Sequence, residues 1–129
     1  MNDMNEQKKV LVVDDEEALT TVLARKFTEE GMMAYTAFNG KTGLEIALEK
    51  HPDVILLDIM MPEMDGLEVM KILREDDWGK NIPIILLTNS SSYDTVEKAV
   101  GIGMSEFLVK DELKLDEVVE RVKKHFRDI

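Results

Sequence analysis

The sequence predicts a three-layer α/β fold, in which helices cover both faces of a five-stranded parallel sheet. Five short apolar segments alternate with five segments of helical spacing along the 129 residues. Strict alternation of strand and helix is typical of a parallel sheet with helices on both of its faces. Three of the apolar segments have no polar residue in their interior, which indicates strands that are buried on both faces.

The predicted strands, numbered β1 to β5, are residues 9–14, 33–38, 54–58, 83–88 and 106–110. β1, β3 and β4 contain the continuous apolar runs, so we expect them at the centre of the sheet. β2, which reads "MAYTAF", mixes polar and apolar residues, as is expected of an edge strand.

The predicted helices, numbered α1 to α5, are residues 17–30, 41–50, 67–75, 93–102 and 115–126. Each repeats apolar residues at spacings of three and four, so that one face of each helix meets the sheet. In order, the expected faces are Leu19, Val22, Leu23 and Phe27 with the stem of Lys26; Leu44, Ala47 and Leu48; Met70 and Leu73; Val96, Ala99 and Val100; and Leu115, Val118, Val119, Val122 and Phe126.

Two local signals mark helix ends. Gly31 follows α1, and a glycine in the left-handed conformation commonly ends a helix at this position. The pattern Ser91-x-x-Asp94 is close to a capping box at the start of α4. We therefore interpret the serines of "SSSYDTVE" as a capped helix start rather than as a nucleophile.

Length and composition predict one domain, residues 8–129, after a flexible tail of residues 1–7. The sequence contains no cysteine, which excludes disulfides and thiolate metal sites and fits a reducing compartment. No apolar run approaches the length that spans a membrane. The 16 basic and 27 acidic residues give a net charge of −11, which opposes nucleic-acid binding. We expect a soluble, cytoplasmic protein that binds neither membranes nor nucleic acid directly.

Polar side chains stand at the carboxyl ends of four predicted strands. β1 ends in Asp14 and Asp15, β3 in Asp58, β4 in Thr88 and β5 in Lys110. Ligands of open α/β sheets bind beyond these strand ends, near the point where the strand order reverses. If β1, β3, β4 and β5 are neighbours, these five side chains converge on one crevice.

The residue types in this crevice predict phosphoryl-transfer chemistry. Three carboxylates and one ammonium sum to −2, which favours one divalent cation, and ligation by oxygen alone favours Mg²⁺. Lys110 offers a point charge for phosphate oxygens, Thr88 offers a hydroxyl donor, and Asp58 offers a nucleophile. Asp58 is the most informative of these residues, because it ends the most apolar run of the chain.

Each of these residues also has a simpler structural interpretation. The stretch "DDEE" (14–17) suits a helix N-cap followed by acids in the first turn, where they stabilise the helix dipole. Lys110 suits a solvated strand end, and Thr88 is a good strand former in a strand. The coincidence of all five residues at strand ends favours the functional interpretation.

Four stretches, "VLVVDDEE", "VILLDIMMPEMDG", "PIILLT" and "FLVK", resemble the signature stretches of response-regulator receiver domains over about residues 8–127. This resemblance implies a flavodoxin-like (βα)₅ fold with strand order 2-1-3-4-5. It implies that Asp58 is phosphorylated. It also implies that Asp14, Asp15, Asp58 and the backbone carbonyl of Met60 bind Mg²⁺, for which Mn²⁺ is a plausible substitute.

The resemblance also implies a conformational switch. Thr88 corresponds to the hydroxyl that turns toward the phosphoryl group, and Lys110 to the lysine that contacts it. Phe107 corresponds to the aromatic residue that rotates inward on activation. The surface that responds is formed by α4, β5 and α5 and is called the α4-β5-α5 face below.

The function implied by the resemblance is two-component signalling rather than metabolic catalysis. The phosphoryl donor is a sensor histidine kinase or a histidine phosphotransfer protein, and the chain assists its own phosphorylation and dephosphorylation. Its target is a downstream protein, or an output domain of its own, which reads the α4-β5-α5 face. The protein is expected to be a monomer or a phosphorylation-dependent dimer, either stand-alone or part of a larger regulator.

Two residues depart from the family pattern. Asp111 follows Lys110, where the family usually has a proline in a cis peptide, so a trans peptide or an altered β5–α5 loop is expected. Asn89 replaces the small residue that usually follows the switch threonine, and either narrows access to Asp58 or adds a hydrogen bond. An alternative function is therefore a degenerate receiver that binds proteins without phosphorylation.

Three other classes of protein are excluded by particular residues. A flavodoxin-type electron carrier needs a hydroxyl-rich loop after β1, where this chain is acidic. A phosphatase of the haloacid-dehalogenase type needs a second aspartate at the position of Met60. An EF-hand needs oxygen ligands at the positions of Met60 and Pro62.

Overall fold

Five parallel strands form one sheet in the order β2-β1-β3-β4-β5, as the sequence and its family resemblance predict. The computed structural model describes residues 7–89 and 93–126. The strands are β1 (Lys9–Val13), β2 (Met33–Ala37), β3 (Val54–Asp58), β4 (Ile84–Thr88) and β5 (Glu106–Val109). Every residue of β3 and β4 is buried, as are four of the five residues of β1. The predicted central strands are therefore confirmed.

The helices follow the predicted alternation and differ from the predicted bounds by about one residue. They are α1 (Glu17–Glu29), α2 (Gly40–Lys50), α3 (Gly66–Glu75), α4 (Tyr93–Ile102) and α5 (Leu115–Phe126). Two hydrophobic clusters, one on each face of the sheet, fill the space beneath the helices. One cluster includes side chains of α2, α3 and α4, and the other includes side chains of α1 and α5.

The predicted helix faces are wrong at four positions, since Val22, Leu48, Val100 and Leu115 are exposed. In α1 the buried residues are Thr20, Leu23 and Phe27. Thr20 replaces an apolar side chain there, because its hydroxyl donates hydrogen bonds to the backbone carbonyls of Asp14 and Glu16. The helix is consequently rotated so that Val22 lies off the core face.

Gly31 ends α1 with a φ of +89°, as predicted. Residues 1–6 of the predicted tail, Ser91 of the predicted capping box and residues 127–129 lie outside the described residues. Within the described ranges, none of the helices combines the length and the apolar character needed to cross a bilayer.

The strand register aligns the residues at the functional edge of the sheet. Val13 pairs with Leu57, so that Asp14 and Asp58 each follow a paired position of neighbouring strands. Asp58 pairs with Leu87, and Thr88 pairs with Val109. The ends of β1, β3, β4 and β5 therefore meet at one edge, and the loops after them surround a single crevice.

Candidate functional site

The loop after β1 holds the Asp14 carboxylate in a fixed orientation. Asp14 is fully buried, and its backbone N–H donates to Ala37 of the neighbouring β2 at 3.1 Å. Its carboxylate accepts a hydrogen bond at 2.8 Å from the backbone N–H of Glu16, and its carbonyl accepts one at 3.0 Å from the Thr20 hydroxyl. Asp15, in contrast, is exposed. The two adjacent acids thus present one buried and one accessible carboxylate.

Asp58 ends β3 as a buried acid, with only 1% of its surface exposed. One carboxylate oxygen accepts a hydrogen bond from the backbone N–H of Met60 at 3.2 Å. The Met60 side chain itself is exposed beside the crevice. The Asp58 carboxylate is consequently held by its own loop while one face remains directed to the other acids.

The loop "PEMDG" packs tightly against the end of β3. A side chain at Gly66 would place its Cβ atom 2.4 Å from the backbone oxygen of Asp58, so only glycine fits. The N–H of Gly66 donates to the Ile59 carbonyl at 2.9 Å. Earlier in the loop, Glu63 has a φ of +70°, within a tight turn. Asp65 and Glu68 then form a capping box at the start of α3. The loop is thus built to hold the strand end in place.

Lys110 contacts three carboxylates at once. Its ammonium lies 2.9 Å from Asp14 Oδ2 and 3.6 Å from Asp58 Oδ2, and it also forms an ion pair with Glu16. The lysine side chain is only 5% exposed, although it follows an edge strand. The alternative of a solvated strand end is therefore wrong for Lys110. Its ammonium is enclosed by two acids that follow β1 and one that ends β3.

The surroundings of Asp58 disfavour its ionised form beside the Asp14 carboxylate. Burial raises the pKa of the Asp58 carboxyl to about 7, and repulsion from Asp14 adds to the rise against the attraction of Lys110. Burial also disfavours the Lys110 ammonium, but its contacts with Glu16 and Asp14 outweigh this and raise the pKa of Lys110 above its ordinary value. The lysine stays charged, while Asp58 needs a further cation to be fully ionised at neutral pH.

The acids have the composition of a site for a hard cation. Carboxylate oxygens of Asp14, Asp15 and Asp58 lie within 4.8 Å of one another. Asp14 Oδ2 is buried and accepts no hydrogen bond within the described part of the chain, although Lys110 is close to it. A set of oxygen donors that includes a buried carboxylate oxygen without a hydrogen bond from the described residues fits Mg²⁺, which prefers oxygen ligands. These residues therefore fit the predicted metal.

The two predicted switch residues, Thr88 and Phe107, lie on the neighbouring strands β4 and β5. Thr88 is 5% exposed at the end of β4, one position beyond the residue that pairs with Asp58. Phe107 is exposed on β5, where it lines a shallow groove with Leu113 and Arg121 of the β5–α5 segment. The groove therefore has an aromatic side chain on the edge strand. Phe107 adopts an outward, exposed position in this structure.

The two residues that depart from the family pattern are both on the surface. The peptide between Lys110 and Asp111 is trans, and residues Lys110–Glu112 form a 3₁₀ turn before α5. The trans peptide expected for this loop is therefore present. Asn89 is exposed beyond the end of β4.

The sequence interpretation missed one residue of the site, Glu16. It occupies the N-cap position of α1, but its side chain makes no capping hydrogen bond and instead pairs with Lys110. Glutamate is not among the preferred N-cap residues, whereas Ser, Thr, Asp and Asn are. The third acid of "DDEE" was thus a signal that this side chain has another partner.

A family model and the sequences of similar proteins point to the same family. The family model described as the response regulator receiver domain matches residues 10–123. The chain is 34% identical over 122 residues to sporulation initiation phosphotransferase F of Bacillus subtilis (strain 168), covering 95% of this chain and 94% of that protein. It is 36% identical over 117 residues to the regulatory protein AtoC of Escherichia coli (strain K12), covering 88% of this chain and 24% of AtoC.

The solved structures agree with this likeness. Chemotaxis protein CheY4 of Vibrio cholerae superposes with a TM-score of 0.87 at 28% identity, covering 92% of this chain and 98% of that one. The chain thus spans about a quarter of the length of AtoC, whereas it spans nearly all of phosphotransferase F and CheY4.

Proposed function

This chain belongs to the response regulator receiver family, the signalling domains of two-component systems, and we propose that its Asp58 accepts a phosphoryl group from a phosphohistidine of a partner protein. One observation carries this proposal. Asp58 is a buried carboxylate at a strand end, with a lysine ammonium 3.6 Å away and two further acids within 4.8 Å. Such burial destabilises a charged group, and the attraction of Lys110 offsets only part of the cost, since the pKa of Asp58 still rises to about 7.

The transfer uses Asp58 as the nucleophile. A carboxylate oxygen of Asp58 forms a bond to phosphorus while the phosphorus–nitrogen bond of the phosphohistidine breaks and its electron pair returns to the imidazole. Lys110 lies on the side of Asp58 Oδ2, where its ammonium would neutralise charge on the phosphoryl oxygens. The backbone N–H of Met60 holds the other oxygen of Asp58 at 3.2 Å. This contact orients the nucleophile.

Asp14, Asp15 and Asp58, together with the backbone carbonyl of Met60, would hold the metal ion. Mg²⁺, or Mn²⁺ in its place, would supply charge neutralisation for the phosphoryl oxygens. Asp14 contributes a rigid, buried carboxylate to this set and Asp15 an exposed one. The difference in exposure suits a site that opens to solvent on one side, where the donor protein approaches.

Phosphorylation would act on the α4-β5-α5 face through Thr88 and Phe107. Thr88 is buried at the end of β4, and Phe107 is exposed on the adjoining strand. An added phosphoryl group draws donors toward Asp58, and the vacated space admits the aromatic ring. The groove that Phe107 lines is then remodelled, and a protein partner or an attached output domain reads the change.

The donor is a sensor histidine kinase or a histidine phosphotransfer protein. This choice is supported by the likeness to a protein named sporulation initiation phosphotransferase F. A cytoplasmic location is supported by the absence of cysteine from the sequence. A degenerate receiver remains less favoured, because the acids and Lys110 of the crevice lie within contact of one another.

The proposal is tested by exposing the protein to acetyl phosphate with Mg²⁺ and measuring its intact mass. We expect the mass to increase by one phosphoryl group in the wild type, and not in Asp58→Asn or after chelation of the metal. Asp111→Asn, an exposed acid beside Lys110, is the matched control and should be modified like the wild type. Equal modification of Asp58→Asn and the wild type would refute Asp58 as the acceptor.

A further inference from the structure

Glu16 has no role in the predicted site, yet it makes a close contact within it. Its carboxylate pairs with Lys110, whose ammonium also lies 2.9 Å from Asp14 and 3.6 Å from Asp58. Of these acids, Asp14 and Asp58 are buried, whereas the Glu16 side chain is 57% exposed. Glu16 therefore offers Lys110 the only one of these three acceptors that lies toward solvent.

The backbone of Glu16 is held firmly while its side chain is left available. Its N–H donates to Asp14 Oδ1 at 2.8 Å, and its carbonyl accepts hydrogen bonds from the backbone N–H and the hydroxyl of Thr20, each at 3.0 Å. The side chain makes no capping hydrogen bond, although the residue is the N-cap of α1. The ion pair with Lys110 therefore explains why a long acidic side chain stands at position 16.

Asp14 faces two competing cations. Lys110 lies 2.9 Å from Asp14 Oδ2, a buried oxygen of the carboxylate that would bind the metal ion, and this oxygen accepts no hydrogen bond from the described residues. A lysine that remains on this oxygen opposes metal binding, because both are positive. A second acceptor nearby allows the ammonium to move off Asp14 without entering solvent as an unpaired buried charge.

We propose that Glu16 is a positioning residue that holds the Lys110 ammonium when Asp14 binds the metal ion. Glu16 acts on the metal only through Lys110, and its role rests on the proposed metal site. Removing its charge leaves Lys110 on Asp14 and weakens Mg²⁺ binding. The expected loss is about threefold to fivefold in affinity, since a partly exposed ion pair contributes at most about a factor of five.

The test is a double-mutant cycle on Mg²⁺ affinity, measured by calorimetric titration of the metal-free protein. Glu16→Gln should weaken binding more than Glu17→Gln, the matched control, which removes one charge from the adjacent exposed residue of α1. In a Lys110→Met background the two substitutions should have equal, small effects, because the competing ammonium is gone. An undiminished effect of Glu16→Gln in that background would overturn the proposal, since it would show that Glu16 acts by its field alone.

A second measurement does not depend on the Lys110→Met variant. Relaxation of the Lys110 side-chain methylene carbons in Mg²⁺-saturated protein should show greater mobility in Glu16→Gln than in the wild type or in Glu17→Gln. Equal mobility in all three proteins would also overturn the proposal. Failure of the wild type to bind Mg²⁺ would instead refute the metal site itself, so the two failures are distinguishable.

Discussion

Replacing Asp58 by asparagine should change the stability of the metal-free protein in a pH-dependent way, more favourably at pH 8 than at pH 5. The pKa of Asp58 rises from an ordinary value of 3.8 to about 7 through burial and repulsion from Asp14. The folded protein therefore keeps a proton that the unfolded chain releases, so stability falls as pH rises from 3.8 to about 7 and is constant above. A tenfold change in proton affinity corresponds to about 1.4 kcal/mol, so the full cost is about 4 kcal/mol at pH 8 and about 1.5 kcal/mol at pH 5.

The quantity to measure is the change, between pH 5 and pH 8, in the stability of Asp58→Asn relative to the wild type. Burying the introduced amide costs free energy at every pH, whereas the cost of the Asp58 charge grows by about 2.5 kcal/mol between pH 5 and pH 8. The stability of Asp58→Asn relative to the wild type should grow by that amount. The groups that do not interact with Asp58 titrate alike in the two proteins, so their pH dependence cancels in the comparison.

Urea unfolding in the presence of a chelator, at pH 5 and at pH 8, provides the measurement. Asp111→Asn makes the same chemical change at an exposed site and should leave the difference between the two pH values near zero. If the advantage of Asp58→Asn were the same at both pH values, the Asp58 carboxyl would not be held protonated by its surroundings. The electrostatic basis of the site would then be wrong.

Three further predictions concern the metal and the loop after β3. Mg²⁺ should raise the melting temperature of the wild type and raise that of Asp14→Asn less, because the ion binds the folded state; equal shifts in calorimetry would count against the site. Gly66→Ala should lower the free energy of urea unfolding by about 3 kcal/mol, because its Cβ would meet the Asp58 backbone oxygen. Gly101→Ala, in open space on α4, is its control and should not destabilise. Glu63→Gly should raise the free energy of urea unfolding by about 1 kcal/mol, because the φ of Glu63 is +70°, a conformation that glycine adopts without strain. A loss of stability would show that contacts of the Glu63 side chain outweigh this strain.

The fold and the convergence of polar residues were predictable because both depend on short-range patterns. An apolar run that ends in a carboxylate identifies a buried strand and its functional end at once, as at Asp58. Parallel pairing then brings such ends to the same edge, so Asp14, Asp58 and Lys110 meet although 96 residues separate Asp14 from Lys110 along the chain. The chemistry of the site follows from the topology and the residue types together.

The choice of partner within the site was not predictable in the same way. Lys110 can reach several carboxylates, and only the backbone path of the β1–α1 loop decides that Glu16 is one of them. The exposure of Val22 has a similar origin, since the hydroxyl of Thr20 takes the core position in order to bond the backbone at Asp14. At Glu16 the deciding contact is an ion pair with a residue far along the chain, and at Thr20 it is a hydrogen bond to the backbone six residues earlier.

The two buried acids of the site lie at the ends of interior strands, whereas the lysine follows an edge strand. Asp14 and Asp58 follow or end strands that are paired on both sides and buried, so the backbone of each is held in place. Lys110 follows β5, an edge strand of four residues that is paired only with β4. The repulsion between these two acids is therefore relieved by a cation that follows the edge strand of the sheet. A change of charge at Asp58 should act first on Lys110, and through the same short strand on Phe107, three residues earlier and already exposed.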